Sequence, residues 1–272
     1  MGAQVIARGK RNLLGVLVDV VDYQAATAQV LAAAREQRPY AVTALAVHGV
    51  MTGVADRQHG ARLNAFDLAT PDGQPVRWGL NLLHRAGLTD RVYGPELTRR
   101  VLVACAEEGL PVYLYGSTEA TLRRLTEALA TQLPGLKIAG QEPSKFRACH
   151  PGEPAEIAAR IHDSGARVVL VGLGCPRQEQ FVYGMRPLVR APMLAVGAAF
   201  DYHAGQLRNP PAWMQRYGLE WLWRLGLEPR RLWRRYLLLN PAYLTRLAGQ
   251  WLRLWRPTPP EPATTPLESF PV

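Results

Sequence analysis

The chain has 272 residues, of which 48% are hydrophobic and 20% charged, so it is long enough to bury a full core and has an ordinary globular composition. The formal net charge of +10 favours an anionic partner: nucleic acid, a phosphate-bearing substrate or an acidic membrane surface. Three widely spaced cysteines without a C-x-x-C pair argue against a disulfide framework and a cysteine zinc site, which fits a reducing cytoplasm.

Short β-branched runs alternate along the chain with longer Ala-, Leu- and Arg-rich segments of helical period. This alternation predicts an α/β fold, a Rossmann-like parallel sheet with helices on both faces. Strands are predicted near Leu13 to Val18, Tyr40 to Val47, Phe66 to Ala69, Val112 to Tyr115, Leu136 to Ala139, Val168 to Gly172 and Met193 to Val196. A helix is predicted to begin at Gly94-Pro95-Glu96 and to end at Gly109.

All apolar stretches are short. The stretch after the basic first twelve residues contains Asp19 and lacks a cleavage site, so no signal peptide is predicted. The runs around Val168 to Leu173 and Met193 to Phe200 fall short of the roughly 18 residues that a spanning helix needs. If the protein meets a membrane, we expect it to lie on the surface.

Loops that follow the predicted strands are the first candidates for a site, because ligands of open parallel sheets bind beyond the carboxyl ends of the strands. Residues 70–75 contain Asp72-Gly73. Asp72 is either a general base held by a sharp turn or part of a plain Asp-Gly turn that caps a helix.

Three further loops follow strands. In residues 171–179, Gly172 and Gly174 would let the backbone approach a phosphate or ribose, and Gln178 would offer a hydrogen-bond donor, although a tight turn without a ligand explains the pattern equally well. The loop at Gly116 either caps a helix or binds phosphate. Asp201, in the last loop, is a pocket residue or a structural acceptor.

Common metal and nucleophile motifs are missing. There is no D-x-D, no H-E-x-x-H, no G-x-S-x-G and no P-loop, and the six histidines show no chelating spacing. These absences predict a chemistry without metal or cofactor, in which arginines and helix ends would neutralise a diphosphate leaving group.

The composition changes at Asn209-Pro210-Pro211. Residues 1–208 are predicted to be the α/β catalytic domain, 209–256 a basic helical appendage, and 257–272, rich in Pro, Thr and Glu, a disordered tail. The appendage holds six of the seven tryptophans, which together with leucines and arginines is typical of a helix in a membrane interface. A core-packed helix with solvated arginines and a nucleic-acid-binding helix are the alternatives.

Eight segments occur along the chain in a characteristic order: Asp72-Gly73, Arg91-Val92-Tyr93-Gly94, Gly116, Gly172-Leu173-Gly174-Cys175-Pro176-Arg177-Gln178-Glu179, Gly197-Ala198-Ala199-Phe200-Asp201, Ala212-Trp213-Met214, Gly218-Leu219-Glu220-Trp221 and Glu228-Pro229-Arg230-Arg231-Leu232. The Pro-Arg-Gln-Glu and Gly-Leu-Glu-Trp parts are the most specific of them. In this order the segments resemble the WecG/TagA/CpsF glycosyltransferases, over about Leu13 to Tyr243.

The resemblance implies an inverting, metal-independent hexosyltransferase that moves a sugar from a UDP-sugar to an undecaprenyl-diphosphate-linked saccharide in exopolysaccharide or cell-surface biosynthesis. It implies a cytoplasmic enzyme, peripheral on the inner face of the cell membrane, and leaves a homo-oligomer open. The stretch Thr43-Ala44-Leu45 lacks the Asn that many members carry, which argues against an N-acetylmannosamine donor. The stretches Ala46-Val47-His48-Gly49 and Asp72-Gly73-Gln74-Pro75 resemble the exopolysaccharide branch, which favours a glucose-type donor.

Matching positions carry the family's site residues onto this chain. Asp72 stands where the family places its catalytic base, Thr43 where it places a substrate-site threonine, and Gln178 in the nucleotide-side loop. The remaining expectations concern binding. Arg91, Gly116, Gly172, Gly174 and Asp201 are expected on the nucleotide side, and Arg230, Arg231, Arg234 and Arg235 toward the membrane or acceptor.

Two other classes stay open. Another Rossmann-like nucleotide- or NAD-dependent enzyme is opposed by the absence of G-x-G-x-x-G after the first strand. A nucleic-acid-binding protein is supported by charge alone, and no nucleic-acid partner is expected.

Overall fold

Six parallel strands form the central sheet, in the order β4-β3-β8-β7-β5-β6. A computed structural model describes residues 5–208, 210–264, 267 and 269–272. The strands are β1 Ala7–Leu13, β2 Val16–Val21, β3 Tyr40–Leu45, β4 Leu68–Pro71, β5 Val112–Gly116, β6 Ile138–Glu142, β7 Val168–Gly172 and β8 Pro192–Ala195. The predicted α/β fold with a parallel sheet is therefore confirmed.

Helices connect the strands and continue after the last one. They are α1 Tyr23–Arg35, α2 Val47–Ala55, α3 Arg57–Asn64, α4 Gln74–His84, α5 Gly94–Glu108, α6 Glu119–Gln132, α7 Glu153–Asp163, α8 Arg177–Met185, α9 Gly197–His203, α10 Ala212–Arg216, α11 Glu220–Leu227 and α12 Pro229–Trp251. The helix predicted at Gly94 is α5, and Gly109 ends it in a left-handed conformation at φ 68°.

Helices cover both faces of the sheet, and the alternating side chains of the strands divide the core in two. Val168 and Leu170 of β7 pack in the cluster under α1, α5, α6 and α9. Val169 and Val171 pack in the opposite cluster, under α7 and α8. Burial on both faces explains why this strand is an unbroken apolar run in the sequence.

The first two strands form a two-stranded sheet of their own, beside the central sheet. The sequence predicted one strand near Leu13 to Val18, but β1 and β2 pair antiparallel across a turn at Leu14 and Gly15, which have φ 59° and 96°. Leu13, Val16 and Val18 pack with residues of α2, α4 and α12 in a third cluster. A single apolar run therefore crosses the tip of a hairpin.

Helix α12 packs on the domain that precedes it. Tyr243 and Leu247 are buried in the third cluster, and the Tyr243 hydroxyl donates to the Pro75 carbonyl oxygen at 2.9 Å. Asn209 and the side chains of Arg231, Arg234 and Arg235 lie outside the described residues, whereas Arg230 is exposed. No helix in the described ranges combines the length and apolarity that crossing a membrane requires.

The described residues of the tail lie against the α/β core. Phe270 and Val272 are buried in the cluster under α7 and α8, and Pro271 forms an antiparallel bridge with Ala148. The amide of Ala263 donates to the Ala61 carbonyl oxygen at 2.9 Å. This arrangement differs from the disorder that the Pro-, Thr- and Glu-rich composition predicts, since a few apolar side chains and paired amides are enough to fix the segment.

Candidate active site

Two adjoining depressions lie beyond the carboxyl ends of the parallel strands. The wide cleft, of about 1470 Å³, is bordered by the loops after β3, β5, β7 and β8. The narrow cleft, of about 820 Å³, lies between the start of α4 and helices α11 and α12. Asp72 and Arg224 line both clefts, so they mark the junction between them.

Asp72 follows β4 directly and is only partly exposed. Its amide donates to the Leu45 carbonyl oxygen at 3.1 Å, and its Oδ2 accepts from the Gly94 amide at 3.4 Å. Burial raises the pKa of this carboxyl from its usual 3.8 to about 6, against the opposing effect of Arg91. The carboxyl can therefore exchange a proton near neutral pH, as a general base must.

Arg224 brings a positive charge to the same junction. It lies one helical turn after Glu220 on α11, its side chain is about one fifth exposed (21%), and its ion-pair contact with Glu228 is long, at 3.9 Å. Within the described part of the chain its buried Nε has no hydrogen-bond partner. Such a group is well placed to receive an anionic ligand.

Arg91 holds a helix at the site. Its guanidinium makes a two-pronged ion pair with Glu220, the first residue of α11, and lies 4.4 Å from the centre of the Tyr93 ring. Arg91 borders a third depression, beside Gln215 and Tyr217, rather than the wide cleft. To bind a phosphate it would have to give up Glu220, so its expected phosphate contact stays a prediction.

Gln178 joins two of the loops that border the wide cleft. Its Oε1 accepts from the amides of Gly174 at 3.1 Å and Gly197 at 2.8 Å, and its Nε2 donates to the Ala195 carbonyl oxygen at 3.2 Å. All three contacts fix the backbone of the cleft. Gln178 therefore shapes the wide cleft, and its role in binding a nucleotide stays a prediction.

Thr43 is completely buried, and its hydroxyl donates to Glu179 Oε1 at 3.2 Å. Glu179 is buried too and borders the wide cleft; burial raises the pKa of its carboxyl. Gln178 Nε2 donates to the same Oε1 at 3.0 Å. Thr43 therefore supports the wall of the cleft, and contact with a substrate would require movement.

Two of the three predicted glycines, Gly172 and Gly174, border the wide cleft together with Asp201. A Cβ on Gly172 would lie 2.7 Å from the Phe200 ring, and one on Gly116 would lie 2.9 Å from the Gly172 backbone, so both positions exclude side chains. Gly174 has φ 76° and, like Asp201, borders the cleft. The structure thus brings Gly172, Gly174, Gln178 and Asp201 together with Asp72, and leaves Gly116 just behind the border.

Sequence reasoning did not select two residues that border the clefts. Arg224 was one arginine among many in a basic segment, and only its spacing of four from Glu220 could have singled it out. Phe146 is 60% exposed on the loop after β6 and borders the wide cleft. Nothing in its sequence context indicates that position.

Metal binding was also predicted to be absent. Among the residues that the structure describes, no group of three or more His, Cys, Asp or Glu side chains could hold a metal ion. Metal independence of the reaction stays a prediction, which a magnesium titration tests.

Comparison with known proteins gives the family. The model of the glycosyl transferase WecG/TagA/CpsF family matches residues 11–257. The chain is also 28% identical over 195 residues to an N-acetylglucosaminyldiphosphoundecaprenol N-acetyl-beta-D-mannosaminyltransferase of Bacillus subtilis (strain 168), which covers 71% of this chain and 73% of that protein. This chain belongs to the WecG/TagA/CpsF family and is a glycosyltransferase.

Proposed function

We propose that this glycosyltransferase moves a sugar from a UDP-sugar to a lipid-linked diphosphate saccharide at a membrane surface, with inversion and with Asp72 as the base. The position of Asp72, at the junction of the two clefts, carries the proposal. A sugar donor in one cleft and an acceptor in the other would meet at this carboxyl.

The wide cleft suits the sugar nucleotide. The loop at Gly174 leads into the N-terminus of α8, where the helix dipole favours a phosphate group. Arg177 and Arg224 border the cleft and would offset the charge of the diphosphate. The exposed ring of Phe146 offers a face on which a uracil base can stack.

The narrow cleft suits the acceptor. Pro75, Trp221, Tyr236 and Leu239 give it a partly apolar wall. Helices α11 and α12, which supply part of this wall, also carry exposed Leu and Trp side chains outside it. The Bacillus subtilis relative is named for an undecaprenyl-diphosphate acceptor, and such a substrate stays in a membrane because of its long apolar chain.

The exposed surface of the last helices supports binding to an anionic membrane. Leu237, Leu244, Trp251 and Leu254 are each more than half exposed, and Arg230, Arg246 and Arg253 lie in the same segment. Trp, Leu and Arg in this combination suit the boundary between headgroups and acyl chains. We place the enzyme on the inner, cytoplasmic face of the membrane.

The reaction we propose is a single displacement. Asp72 takes the proton of the acceptor hydroxyl while the hydroxyl oxygen attacks the anomeric carbon of the donor sugar. The bond from that carbon to the UDP oxygen breaks in the same step. The positive end of the α8 dipole and the guanidinium of Arg224 would stabilise the negative charge that develops on the departing diphosphate. No metal ion takes part in these steps.

Ligand binding tests the sugar-nucleotide part of this proposal. Isothermal calorimetry with UDP, UDP-glucose, UDP-N-acetylglucosamine, UDP-N-acetylmannosamine and NAD, with and without magnesium, should show binding of uridine nucleotides that does not need the metal. Among the three sugars, the tightest complex would indicate the natural one. Binding of NAD without any response to UDP would contradict the proposal and favour a nicotinamide enzyme.

A further inference from the structure

The loop between β6 and α7 stands at the edge of the wide cleft. Its Phe146 is 60% exposed and has a left-handed backbone, with φ 52°. A left-handed conformation is uncommon for a bulky residue and persists only where neighbouring contacts enforce it. The contacts that fix this loop therefore determine the position of the Phe146 ring.

Residues 270–272 make several of the contacts that fix this loop. The Lys145 amide and the Ser144 hydroxyl donate to the Val272 carbonyl oxygen at 3.1 Å and 3.0 Å, and the Val272 amide donates to the Arg147 carbonyl oxygen at 2.9 Å. The Cys149 amide donates to the Phe270 carbonyl oxygen at 2.9 Å. These bonds lie on both sides of Phe146, so the segment pairs with the loop as a short extra strand would.

Phe270 anchors the segment on helix α8. Its ring meets that of Phe181 edge to face, with centroids 5.8 Å apart, and is almost completely buried. A Cβ on Gly184 would lie 2.4 Å from the Phe270 ring, so the glycine makes room for it. Helix α8 also begins at the wide cleft, with Arg177 and Gln178. The segment thus ties the Phe146 loop to a helix that also borders the wide cleft.

We propose that residues 270–272 are positioning residues for nucleotide binding, because they hold the Phe146 ring where it stacks on the base of the sugar nucleotide. This inference rests on the proposed function and adds to it a role for the tail of the chain. Phe270 touches no substrate; it acts through the loop. Loss of its side chain should release the loop and weaken binding of any ligand that carries a base.

Calorimetry with UDP tests the inference, using Phe146→Ala, Phe270→Ala and the double variant. Stacking of a base on an aromatic ring predicts that Phe146→Ala raises the Kd for UDP by about 5- to 150-fold. Phe270→Ala should also raise it, and the double variant should bind no more weakly than Phe146→Ala alone, because both changes remove the same contact. Multiplicative effects in the double variant would overturn the inference.

Two controls separate positioning from general damage. Inorganic pyrophosphate carries no base, so Phe270→Ala should leave its Kd unchanged. Leu267→Ala removes another apolar side chain of the tail that packs on the same cluster, outside the stretch paired with the loop, and should bind UDP as the unchanged chain does. An equal loss of UDP and pyrophosphate binding in Phe270→Ala would contradict the inference.

The outcome also separates this inference from the proposed function. If the unchanged chain fails to bind UDP, the proposed function fails; if it binds UDP and Phe270→Ala binds it equally well, only the positioning role fails. If thermal unfolding shows that Phe270→Ala does not fold, Phe270→Leu takes its place, because it keeps an apolar side chain at this position. Its Kd for UDP is then compared with that of Phe146→Ala and of the double variant in the same way.

Discussion

The carboxyl of Asp72 combines two properties that oppose each other in most aspartates. It borders both clefts, where a substrate can reach it, and it is buried enough for its pKa to rise to about 6. A base of this strength is half ionised just below neutral pH and holds a proton more readily than an ordinary aspartate. Both properties follow from its place after β4, under helix α11.

The pH dependence of turnover should report this pKa. Only the ionised carboxyl can accept a proton, so kcat/KM for the transfer should rise with pH up to about 6 and level off above it. Rates measured between pH 4.5 and 8 at subsaturating sugar donor check this. A flat profile over that range would show that Asp72 is not the group that limits the rate.

Stability should depend on the same group. Its pKa is higher in the folded chain than its usual 3.8, so its contribution to the free energy of unfolding is largest below pH 4 and is lost as pH rises through about 6. Asp72→Asn removes the charge and should stabilise the protein at pH 7.5 by at most about 3 kcal/mol. Thermal unfolding at pH 7.5 and at pH 4 measures this; an equal change at both values would contradict the burial argument.

At the residue scale the sequence was informative where a glycine turn follows a strand. Asp72, Gly174 and Gln178 could be selected because parallel strands bring such turns to one edge of the sheet. Arg224 and Phe146 could not, because their places depend on how α11 and the loop after β6 dock. Arg91 was selected as a phosphate ligand, and its ion pair with Glu220 depends on that same docking.

At the element scale, a buried ion pair helps to hold helix α11 on the site. Arg91 is almost completely buried and Glu220 largely so, at 4% and 16% exposure. Removal of one partner of a buried pair costs about 3 to 5 kcal/mol, because a charge is left without compensation. Since Arg224 lies one turn further along α11, its position depends on this pair.

Breaking the pair should therefore impair the reaction at a distance from Asp72. Glu220→Gln should lower Tm, reduce kcat and raise KM for the sugar donor, as Arg224 loses its fixed place. Glu108→Gln, which breaks the exposed pair with Arg35, is the matched control and should leave turnover unchanged. If Glu220→Gln leaves turnover unchanged and Arg91→Gln weakens UDP binding, the results would instead indicate that Arg91 binds phosphate.

Most strands of the central sheet could be predicted from the sequence because they are short apolar runs between helical segments. Strand β6 was predicted near Leu136 to Ala139 and lies at Ile138–Glu142, because its second half is polar and only partly buried. The hairpin could not be predicted: its turn at Leu14-Gly15 lies inside one apolar run, and both strands bury side chains against α4 and α12. The docking of α12 could not be predicted either. Among its many apolar residues, only Tyr243 and Leu247 are buried in the third cluster.

At the scale of the whole molecule, exposed apolar side chains concentrate in residues 213–255, on the last helices and the residues that follow them. Replacing Trp251, Leu252 and Leu254, all more than half exposed, with serine should reduce binding to vesicles that contain anionic lipid by at least about tenfold, because apolar area no longer enters the interface. Flotation of the variant and of Leu188→Ser, a control at an exposed leucine outside this segment, measures the effect. Equal flotation of the unchanged chain, the triple variant and Leu188→Ser would contradict membrane binding through this segment.

A single-turnover assay tests whether sugar transfer depends on Asp72. The assay follows a radiolabelled sugar from the UDP-sugar that binds best to a lipid-linked diphosphate acceptor, with the unchanged chain and with Asp72→Asn, while calorimetry measures UDP binding to both. The proposed mechanism predicts transfer by the unchanged chain, a rate about 10²- to 10⁴-fold lower in Asp72→Asn, and equal Kd values for UDP. Undiminished transfer by Asp72→Asn would contradict it.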